Sequence, residues 1–467
     1  MNDGGVLDGK QADGEQATRS RAIAAFAAGA LAREYPPAVL KAATTALIDY
    51  VGVAVGAVDE APVRPVREVV REWGATGNAR IFLGPLTTPA LAALVNATMA
   101  HAMDYDDAHQ MGAGHISCPC WSAAFAVANQ VGATATDTLA AFITGFEVMA
   151  RLGGGGPPGV GRSLHRRGFH PTSILGRIGA AVVAGVLMRL DERQLEYALG
   201  IAATTAGGLI GSFGTHAKPF HGGKAAMDGI LAAQLAARGF ESSTQLLELE
   251  KGLLDAIVQD RKVDVPPLDF AARWEILRNG FKPYASCRAT HASIQAARKL
   301  APRLAGKKIT RVKAKVHPNA MVAAGKLNPQ TPLECKFSVP FCIALGLRNY
   351  RVVATDFTPA LFKDKAVTQL MPLIEIEIVQ DQPQYEAHMD VQLDSGEILH
   401  EETSIVLGHA DNPMSDEDFR GKFEGLVVPV LGAAKTAQLY ALLNDFERAG
   451  NFAQVMSLLE PRARTAG

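Results

Sequence analysis

The chain has 467 residues and a formal net charge of −1, and 48% of its residues are hydrophobic. One hydrophobic core rarely supports this length, so we expect a globular protein with two domains. The near-neutral charge, without a basic stripe interleaved with aromatic residues, argues against nucleic-acid binding.

The N-terminal segment, residues 1–16, is polar and lacks the basic start and apolar stretch of a targeting signal. We expect a disordered tail there. Apolar runs such as residues 178–190 are too short to span a bilayer of about 30 Å. The five cysteines include no C-x-x-C pair, which predicts free thiols and argues against an iron–sulfur hydratase. We therefore predict a cytoplasmic protein without membrane attachment.

Residues 17–266 repeat one pattern, in which long Ala-, Leu- and Val-rich segments with helical periodicity are separated by Gly or Pro. The abundance of Ala and Gly indicates close helix contacts and hence a large all-α domain. Helices are predicted over residues 21–34, 38–58, 89–101, 122–131, 138–151, 170–188, 192–206 and 223–237.

The pattern changes after about residue 266, where hydrophobic residues begin to alternate. This alternation predicts strands over residues 308–317, 373–379, 387–393 and 398–407, and Asp394-Ser395-Gly396 predicts a hairpin turn. We therefore predict a smaller α+β domain over residues 267–408. Helical periodicity returns over residues 415–426 and 434–443, so residues 409–467 are expected to rejoin the large all-α domain of residues 17–266. The fold class is mainly α.

The densest group of ionisable residues is H-A-M-D-Y-D-D-A-H, residues 101–109, followed by His115. If the preceding helix continues, His101 and Asp104 lie on one face and could share a proton or a ligand. Capping aspartates at a solvated helix end, a divalent metal site and acid–base catalysis are each compatible with this composition.

Two basic segments lie beside predicted helices. G-F-H-P-T, residues 168–172, follows three basic residues and places Pro171 in a first helical turn, where amide dipoles favour an anion. H-A-K-P-F-H-G-G-K, residues 216–224, concentrates positive charge before another helix, as a carboxylate-binding cradle would. The alternatives are a structural histidine and a solvated basic loop. The glycines at residues 153–156 lack the spacing of a nucleotide-binding loop.

The segment F-K-P-Y-A-S-C-R-A-T-H, residues 281–291, contains Cys287 and His291 four residues apart. Proximity in sequence is weak support for a cysteine nucleophile. Lys282 and Arg288 are better candidates for anchoring carboxylates, which both cations bind well.

In this order and spacing, these segments and E-V-M-A-R-L-G resemble the signature segments of the MmgE/PrpD family, and K-F-S-V-P-F at residues 336–341 also fits. The resemblance extends over residues 23–438. It implies a homodimer whose subunits have a large all-α domain and a smaller α+β lid domain. Members include 2-methylcitrate dehydratases, cis-aconitate decarboxylases and iminodisuccinate epimerases, none thought to require a metal or an organic cofactor.

Matched by motif position, the resemblance implies a pocket between the domains. Its catalytic residues would be Asp104, His115, His170, Lys218 and Lys282. Its substrate-binding residues would be His109, His221, Tyr284, Cys287 and Arg288. The chain departs from many relatives at Ala108, where they have Thr, at Ile116, where they have Pro, and at Cys287, where some have His. A hydroxyl contact to the substrate would therefore be absent.

Dehydration, decarboxylation and epimerisation beside a carboxylate all pass through a carbanion or a dianionic enolate, which fixed cations stabilise. In the implied pocket, Lys218, Lys282 and His221 would supply that field, and the other acids and bases would move protons. We predict a lyase that needs no metal or cofactor and acts on a small polycarboxylate, with 2-methylcitrate dehydratase-like elimination of water as the leading hypothesis. Decarboxylation, epimerisation, non-catalytic carboxylate binding and metal-dependent hydrolysis are the alternatives.

Overall fold

The computed structural model describes residues 18–109, 114–154, 159–258, 268–448 and 450–461. The tail predicted at residues 1–16 lies outside these ranges, as do residues 155–158, which include two of the glycines considered above. The described chain is mainly helical, with one four-stranded sheet in its second half. The predicted mainly α fold with a smaller α+β part is confirmed.

The first half of the chain forms a helical layer around α4, α5, α6, α8 and α10, which pack against one another. The helices are α1 (Arg19–Ala28), α2 (Pro37–Gly56), α3 (Val63–Trp73), α4 (Pro89–Ala102), α5 (Ser117–Val131), α6 (Ala135–Gly153), α7 (Val160–Arg166), α8 (Pro171–Leu187), α9 (Glu192–Thr204), α10 (Ala217–Ala236) and α11 (Leu253–Ile257). Three short strands accompany them: β1 (Ala79–Arg80), β2 (Leu86–Thr87) and β3 (Ala108–His109).

The small residues in these helices allow the backbones to approach closely. A Cβ atom at Gly229 of α10 would lie 2.5 Å from the Cβ of Ala180 in α8. One at Gly222 would lie 2.5 Å from the Cys118 Sγ in α5. The Ala- and Gly-rich composition therefore determines how tightly the central helices pack.

Helix α10 begins at Ala217, six residues before the predicted start. The sequence-based prediction was wrong because Gly222 and Gly223 disfavour a helix by local propensity. The close packing of α10 on α4 and α5 overrides that preference. The basic segment is therefore the first two turns of a helix, and Lys218 and His221 project from it at helical spacing.

Other boundaries differ by smaller amounts. Helix α1 ends at Ala28, and Ala30–Ala32 form a 3₁₀ turn, because Gly29 caps the helix. Helix α5 begins at Ser117, five residues before its predicted start, and β8 ends at Thr403.

The second half contains a four-stranded sheet in the order β6-β5-β7-β8, in which only β5 and β6 are parallel. The strands are β4 (Asn279–Gly280), β5 (Ile309–Val316), β6 (Ile374–Ile378), β7 (Ala387–Leu393) and β8 (Ile398–Thr403). The helices are α12 (His291–Leu300), α13 (Pro318–Ala324), α14 (Pro332–Cys335), α15 (Val339–Leu347), α16 (Pro359–Phe362), α17 (Lys365–Thr368), α18 (Asp416–Leu431), α19 (Ala433–Asn444) and α20 (Asn451–Leu458). Helix α12 covers β7 and β8, and the predicted hairpin turn closes with Gly396 at φ +85°.

The C-terminal helix α18 packs on α2. A Cβ atom at Gly52 would lie 3.0 Å from the Phe423 ring, and Lys422 pairs with Asp49. Helix α2 is long and apolar enough to cross a membrane, but 72% of its most apolar stretch is buried in the protein, as in a core helix. The domain boundaries at residues 266 and 408, and the cytoplasmic location, stay predictions.

Candidate active site

A cavity of about 530 Å³ lies between the helical layer and segments of the second half of the chain. The turn after α4, the N-terminus of α8 and the first turn of α10 form one wall. The segment after β4, helix α13 and the loop before β7 form the other. Of the residues predicted for the site, the cavity is lined by Asp104, His109, His115, His170, Lys218, Lys282, Cys287 and Arg288.

Asp104 occupies the turn that follows α4, with φ at +52°, a left-handed conformation that is uncommon outside glycine. Its Oδ1 accepts a hydrogen bond from Lys218 Nζ at 2.5 Å and lies 3.2 Å from Lys282 Nζ. Burial alone would raise the pKa of this carboxyl, but Lys218 and then Lys282 outweigh it and hold the pKa well below its ordinary value. Asp104 is therefore an ionised carboxylate between two lysines.

His101 and Asp104 would share a helix face only if the helix continued past His101, and this condition is not met, because α4 ends at Ala102. Lys218 connects them instead, with its Nζ 3.4 Å from His101 Nδ1. Long-range packing thus replaces the local spacing that the sequence suggested.

Asp106 lies at the centre of a second polar group, in which His115 was predicted as a site residue but Asp106 and His101 were not. Its Oδ2 is 2.8 Å from His101 Nδ1 and 3.3 Å from His115 Nδ1. Burial lowers the pKa of His101 to about 3 and also lowers that of His115, although Asp106 opposes both shifts. Both imidazoles are therefore neutral at pH 7.

His170 forms the N-cap of α8, as the G-F-H-P-T motif predicted, and its ring stacks on that of His101 with centroids 5.6 Å apart. Its Nδ1 lies 3.1 Å from His221 Nδ1, so one nitrogen must donate and the other accept. Burial, followed by neighbouring His101, lowers the pKa of His170 well below its ordinary value. His221 lies behind His170, outside the cavity wall, and orients it instead of contacting the cavity itself.

Three of the predicted substrate-binding residues have other partners. His109 is buried, and its Nε2 lies 3.3 Å from Glu275 Oε2. Tyr284 is buried against the His291 ring at 5.2 Å and lies outside the cavity wall. Burial raises the pKa of Cys287 to about 11, with Asp104 adding to the shift, so this side chain is a thiol at neutral pH and a poor nucleophile.

Arg288 lines the cavity and binds mainly neutral groups. Its Nη1 donates to the Phe281 carbonyl at 3.3 Å, and its guanidinium lies 5.7 Å from the Tyr385 ring centroid. Five Lys or Arg residues line the described part of the wall, against one carboxylate, that of Asp104. The basic residues are Arg162, Arg166, Lys218, Lys282 and Arg288. The cavity therefore has an excess of positive charge.

Sequence reasoning missed several wall residues. They are Arg162, Phe213, His317, Asn319, Phe337, Gln384 and Tyr385. His317 ends a predicted strand, where a polar side chain is often functional, but Gln384 and Tyr385 have no local signal at all. Lys336, which lies just behind the wall, is the first residue of the K-F-S-V-P-F motif.

The donors His101, Asp106 and His115 lie close enough together to hold a metal ion. However, Lys218 Nζ lies 3.4 Å from His101 Nδ1, and its charge would oppose a bound cation. Lys282 adds a second positive charge beside Asp104. The arrangement favours acid–base chemistry over metal binding at this position.

The chain matches the model of the MmgE/PrpD N-terminal domain over residues 21–266 and that of the MmgE/PrpD C-terminal domain over residues 284–445. Human cis-aconitate decarboxylase is 26% identical over 399 residues, which cover 80% of this chain and 79% of the human protein. The mouse cis-aconitate decarboxylase is 26% identical, with 77% and 76% covered. A cis-aconitate decarboxylase of Aspergillus terreus is 25% identical, with 81% and 83% covered.

Proposed function

Because the chain belongs to the MmgE/PrpD family, we propose that it is a lyase that decarboxylates cis-aconitate or a closely similar unsaturated polycarboxylate. The observation that carries the proposal is the cavity wall, on which Lys218, Lys282 and Arg288 lie with one described carboxylate, that of Asp104. The similarity to cis-aconitate decarboxylases supports the choice of reaction over the 2-methylcitrate dehydration that the sequence first suggested.

The charge on the wall indicates how many carboxylates the substrate has. Asp104 accounts for one negative charge and lies against Lys218 and Lys282. Arg288 in the same cavity hydrogen-bonds to a carbonyl. Cations facing a closed site are costly unless anions compensate them. A substrate with two or three carboxylates provides that compensation and is held at several points.

The fixed cations also suit the chemistry. In the decarboxylation of a β,γ-unsaturated acid, the bond between carbon and the departing carboxylate breaks and carbon dioxide leaves. The electron pair moves through the double bond to a carbon beside a second carboxylate, which gives a dianionic enolate. Lys218 and Lys282 would stabilise that charge, because they are already held in place by Asp104. The carbon then takes up one proton.

The proton donor follows from the histidine environment. His115 and His170 have lowered pKa values because burial and the nearby lysines disfavour a further positive charge. A bound polycarboxylate adds negative charge and reverses part of that effect, so the pKa of both histidines rises on binding. The substrate thereby helps to protonate the acid that it needs, and His170, oriented by His221, is the proposed donor.

One observation favours dehydration as a second candidate. The lowered pKa values of His170 and His115 make them neutral bases, and removal of a carbon-bound proton from a hydroxy acid requires such a base. Decarboxylation has no such requirement. A neutral histidine beside lysines therefore also suits elimination of water from a 2-methylcitrate-like substrate.

An NMR experiment in deuterated water separates the two reactions. The purified protein is incubated with cis-aconitate, citrate and 2-methylcitrate, and carbon dioxide release and deuterium incorporation are followed. We expect cis-aconitate to lose carbon dioxide and the product to carry one deuterium. Turnover of 2-methylcitrate alone, with loss of water, would favour the second candidate, and no reaction with any polycarboxylate would contradict both. An Asp104→Asn variant controls for a contaminating activity.

A further inference from the structure

Three successive carbonyls in the turn after α4 each accept a hydrogen bond from a different buried lysine. Lys336 Nζ donates to Met103 O at 2.6 Å, Lys282 Nζ to Asp104 O at 2.9 Å and Lys422 Nζ to Tyr105 O at 2.8 Å. We name these three lysines the lysine clamp. They come from three separate segments: Lys282 precedes the sheet, Lys336 lies between β5 and β6 in the chain, and Lys422 belongs to α18.

The lysine clamp offsets two unfavourable features of the turn after α4. Met103 caps α4, where carbonyls lack intrahelical partners, and Asp104 takes a left-handed conformation that non-glycine residues adopt at some cost. The clamp ammonium groups supply donors and lie where the helix dipole favours positive charge. The turn therefore depends on distant segments to keep its shape.

Lys336 differs from the other two members of the clamp. Lys422 also pairs with Asp49, and Lys282 also contacts the Asp104 carboxylate. Lys336 is only 6% exposed, and within the described chain it has no ion pair; its Nζ lies 5.2 Å from the Phe357 ring centroid. A buried charge without an ion-pair partner is costly to desolvate, which suggests that this charge has a purpose other than folding stability.

We propose that Lys336 is a positioning residue, which fixes the Met103 peptide and so holds Asp104 between Lys218 and Lys282. The inference rests on the proposed function, because those two lysines are the ones assigned to stabilise the enolate. The Lys336 carbonyl also accepts from the Cys287 amide at 2.9 Å, so the same residue ties the Lys282–Cys287 side of the cavity to the turn. Docking of the second half of the chain thereby completes the site.

The charge of Lys336 is expected to change with pH in a range that kinetic measurements can reach. Burial, opposed by Glu60 and Asp104 and assisted by Lys282 and Lys218, lowers its pKa to about 8. Its ammonium group is therefore present below pH 8 and is lost as the pH rises through that value. A neutral amine donates a weaker hydrogen bond to Met103 O, so the turn is expected to loosen under alkaline conditions.

The first test replaces Lys336 by methionine, which has a similar length and no charge. We expect kcat on cis-aconitate to fall about 10- to 100-fold, since a displacement of about 1 Å at a reacting group has that effect, with KM changed less than about threefold. Lys299→Met is the matched control, because Lys299 also donates to a backbone carbonyl, that of Glu402 in β8, but is 48% exposed and does not line the cavity. A kcat of Lys336→Met within threefold of the control would overturn the proposal.

The second variant, Lys336→Arg, serves if the methionine variant fails to fold. Arginine keeps a donor and a charge that does not titrate below about pH 12. We expect it to retain most of the activity and to lack the decline in kcat that we expect of the unaltered enzyme above about pH 8. An identical alkaline decline in both proteins would assign the titration to another group and contradict the role of Lys336.

A measurement without turnover separates this inference from the proposed function. Amide hydrogen exchange of the peptide over residues 100–109 reports opening of the turn. We expect faster exchange in Lys336→Met than in Lys299→Met, whatever the substrate. If the unaltered enzyme converts no polycarboxylate but exchange still responds, the proposed function fails and the structural role stands. Unchanged exchange contradicts the role of Lys336 even if cis-aconitate is decarboxylated.

Discussion

The two sides of the turn at residues 104–107 carry the same side chain in opposite environments. On the cavity side, the Asp104 carboxylate lies against the ammonium groups of Lys218 and Lys282. On the far side, Asp107 accepts hydrogen bonds from Ser117 Oγ at 2.5 Å and Asn279 Nδ2 at 2.6 Å, which are neutral donors. Both carboxyls are buried, so the difference lies in the charge of their partners.

The consequence is a pair of aspartates with opposite pKa shifts. Lysines hold the pKa of Asp104 well below its ordinary value against the effect of burial. Burial, with Asp49 adding to it, raises the pKa of Asp107 to about 7 despite its two neutral donors. Both oxygens of Asp107 have partners, whereas Asp104 Oδ2 has none in the described structure. Asp104 therefore keeps one oxygen available to a ligand, whereas both oxygens of Asp107 bind groups of the protein itself.

The largest expected effect is loss of activity on the cavity side. Asp104→Asn removes the charge that orients Lys218 and Lys282, and we expect kcat to fall about 10³-fold, within the range for loss of an acid–base or electrostatic group. The matched variant Asp107→Asn should keep kcat within about threefold. Steady-state kinetics with cis-aconitate measures both. Equal losses of kcat in the two variants would contradict the functional difference between the two sides of the turn.

Lysine substitutions are expected to give the next largest difference. Lys422→Met leaves Asp49 as an unpaired buried carboxylate, which should lower the free energy of unfolding by about 3–5 kcal/mol. Lys282→Met should destabilise less, because Asp104 retains Lys218, but should weaken binding of a saturated tricarboxylate about tenfold or more. Urea unfolding measures the stability of both variants, and calorimetric titration with the tricarboxylate measures their binding. If Lys422→Met weakened tricarboxylate binding strongly and Lys282→Met did not, Lys422 would be the binding residue and Lys282 the stabilising one.

Local sequence patterns were sufficient for the fold class. Alternating residues predicted β5 to β8 and the turn at Gly396, and the proline after His170 marked the start of α8, because both signals depend on neighbouring residues. The start of α10 was missed because packing around Gly222 outweighs propensity. Family motifs, more than physical patterns, brought the cavity residues together.

The electrostatic structure of the site could not be predicted from the sequence. The string D-Y-D-D gives no sign that Asp104 and Asp107 have opposite pKa shifts, since their partners come from residues more than 100 positions away, as well as from nearby Ser117. The same holds for Lys336, which lies 233 residues from the carbonyl it binds. Contacts of this separation leave no local periodicity to detect.

A smaller effect is expected in the pH dependence of stability. The pKa of Asp107 is raised from 3.8 to about 7 in the folded protein, so its stabilising contribution is complete below about pH 4 and is lost as the pH rises to about 7. Asp107→Asn removes this titration. The difference in unfolding free energy between the two proteins should therefore shift by about 3–4 kcal/mol in favour of the variant between pH 4 and pH 7.5. A constant difference across this range would mean that Asp107 keeps an ordinary pKa.

The smallest expected effect concerns Ser117→Ala, which removes one of the two side-chain donors to Asp107 but leaves Asn279 in place. At pH 5 Asp107 is protonated, and the lost hydrogen bond joins neutral groups, worth about 1 kcal/mol. At pH 8 the carboxylate is ionised, and loss of the same donor should destabilise by about 1.5–3 kcal/mol. The additional destabilisation at pH 8 should vanish in an Asp107→Asn background, where no charge develops. A double-mutant cycle at both pH values measures it. Because Ser117 serves the far side of the turn, kcat should stay within about twofold throughout. A fall in kcat that follows the stability loss would show that the two sides act as one unit.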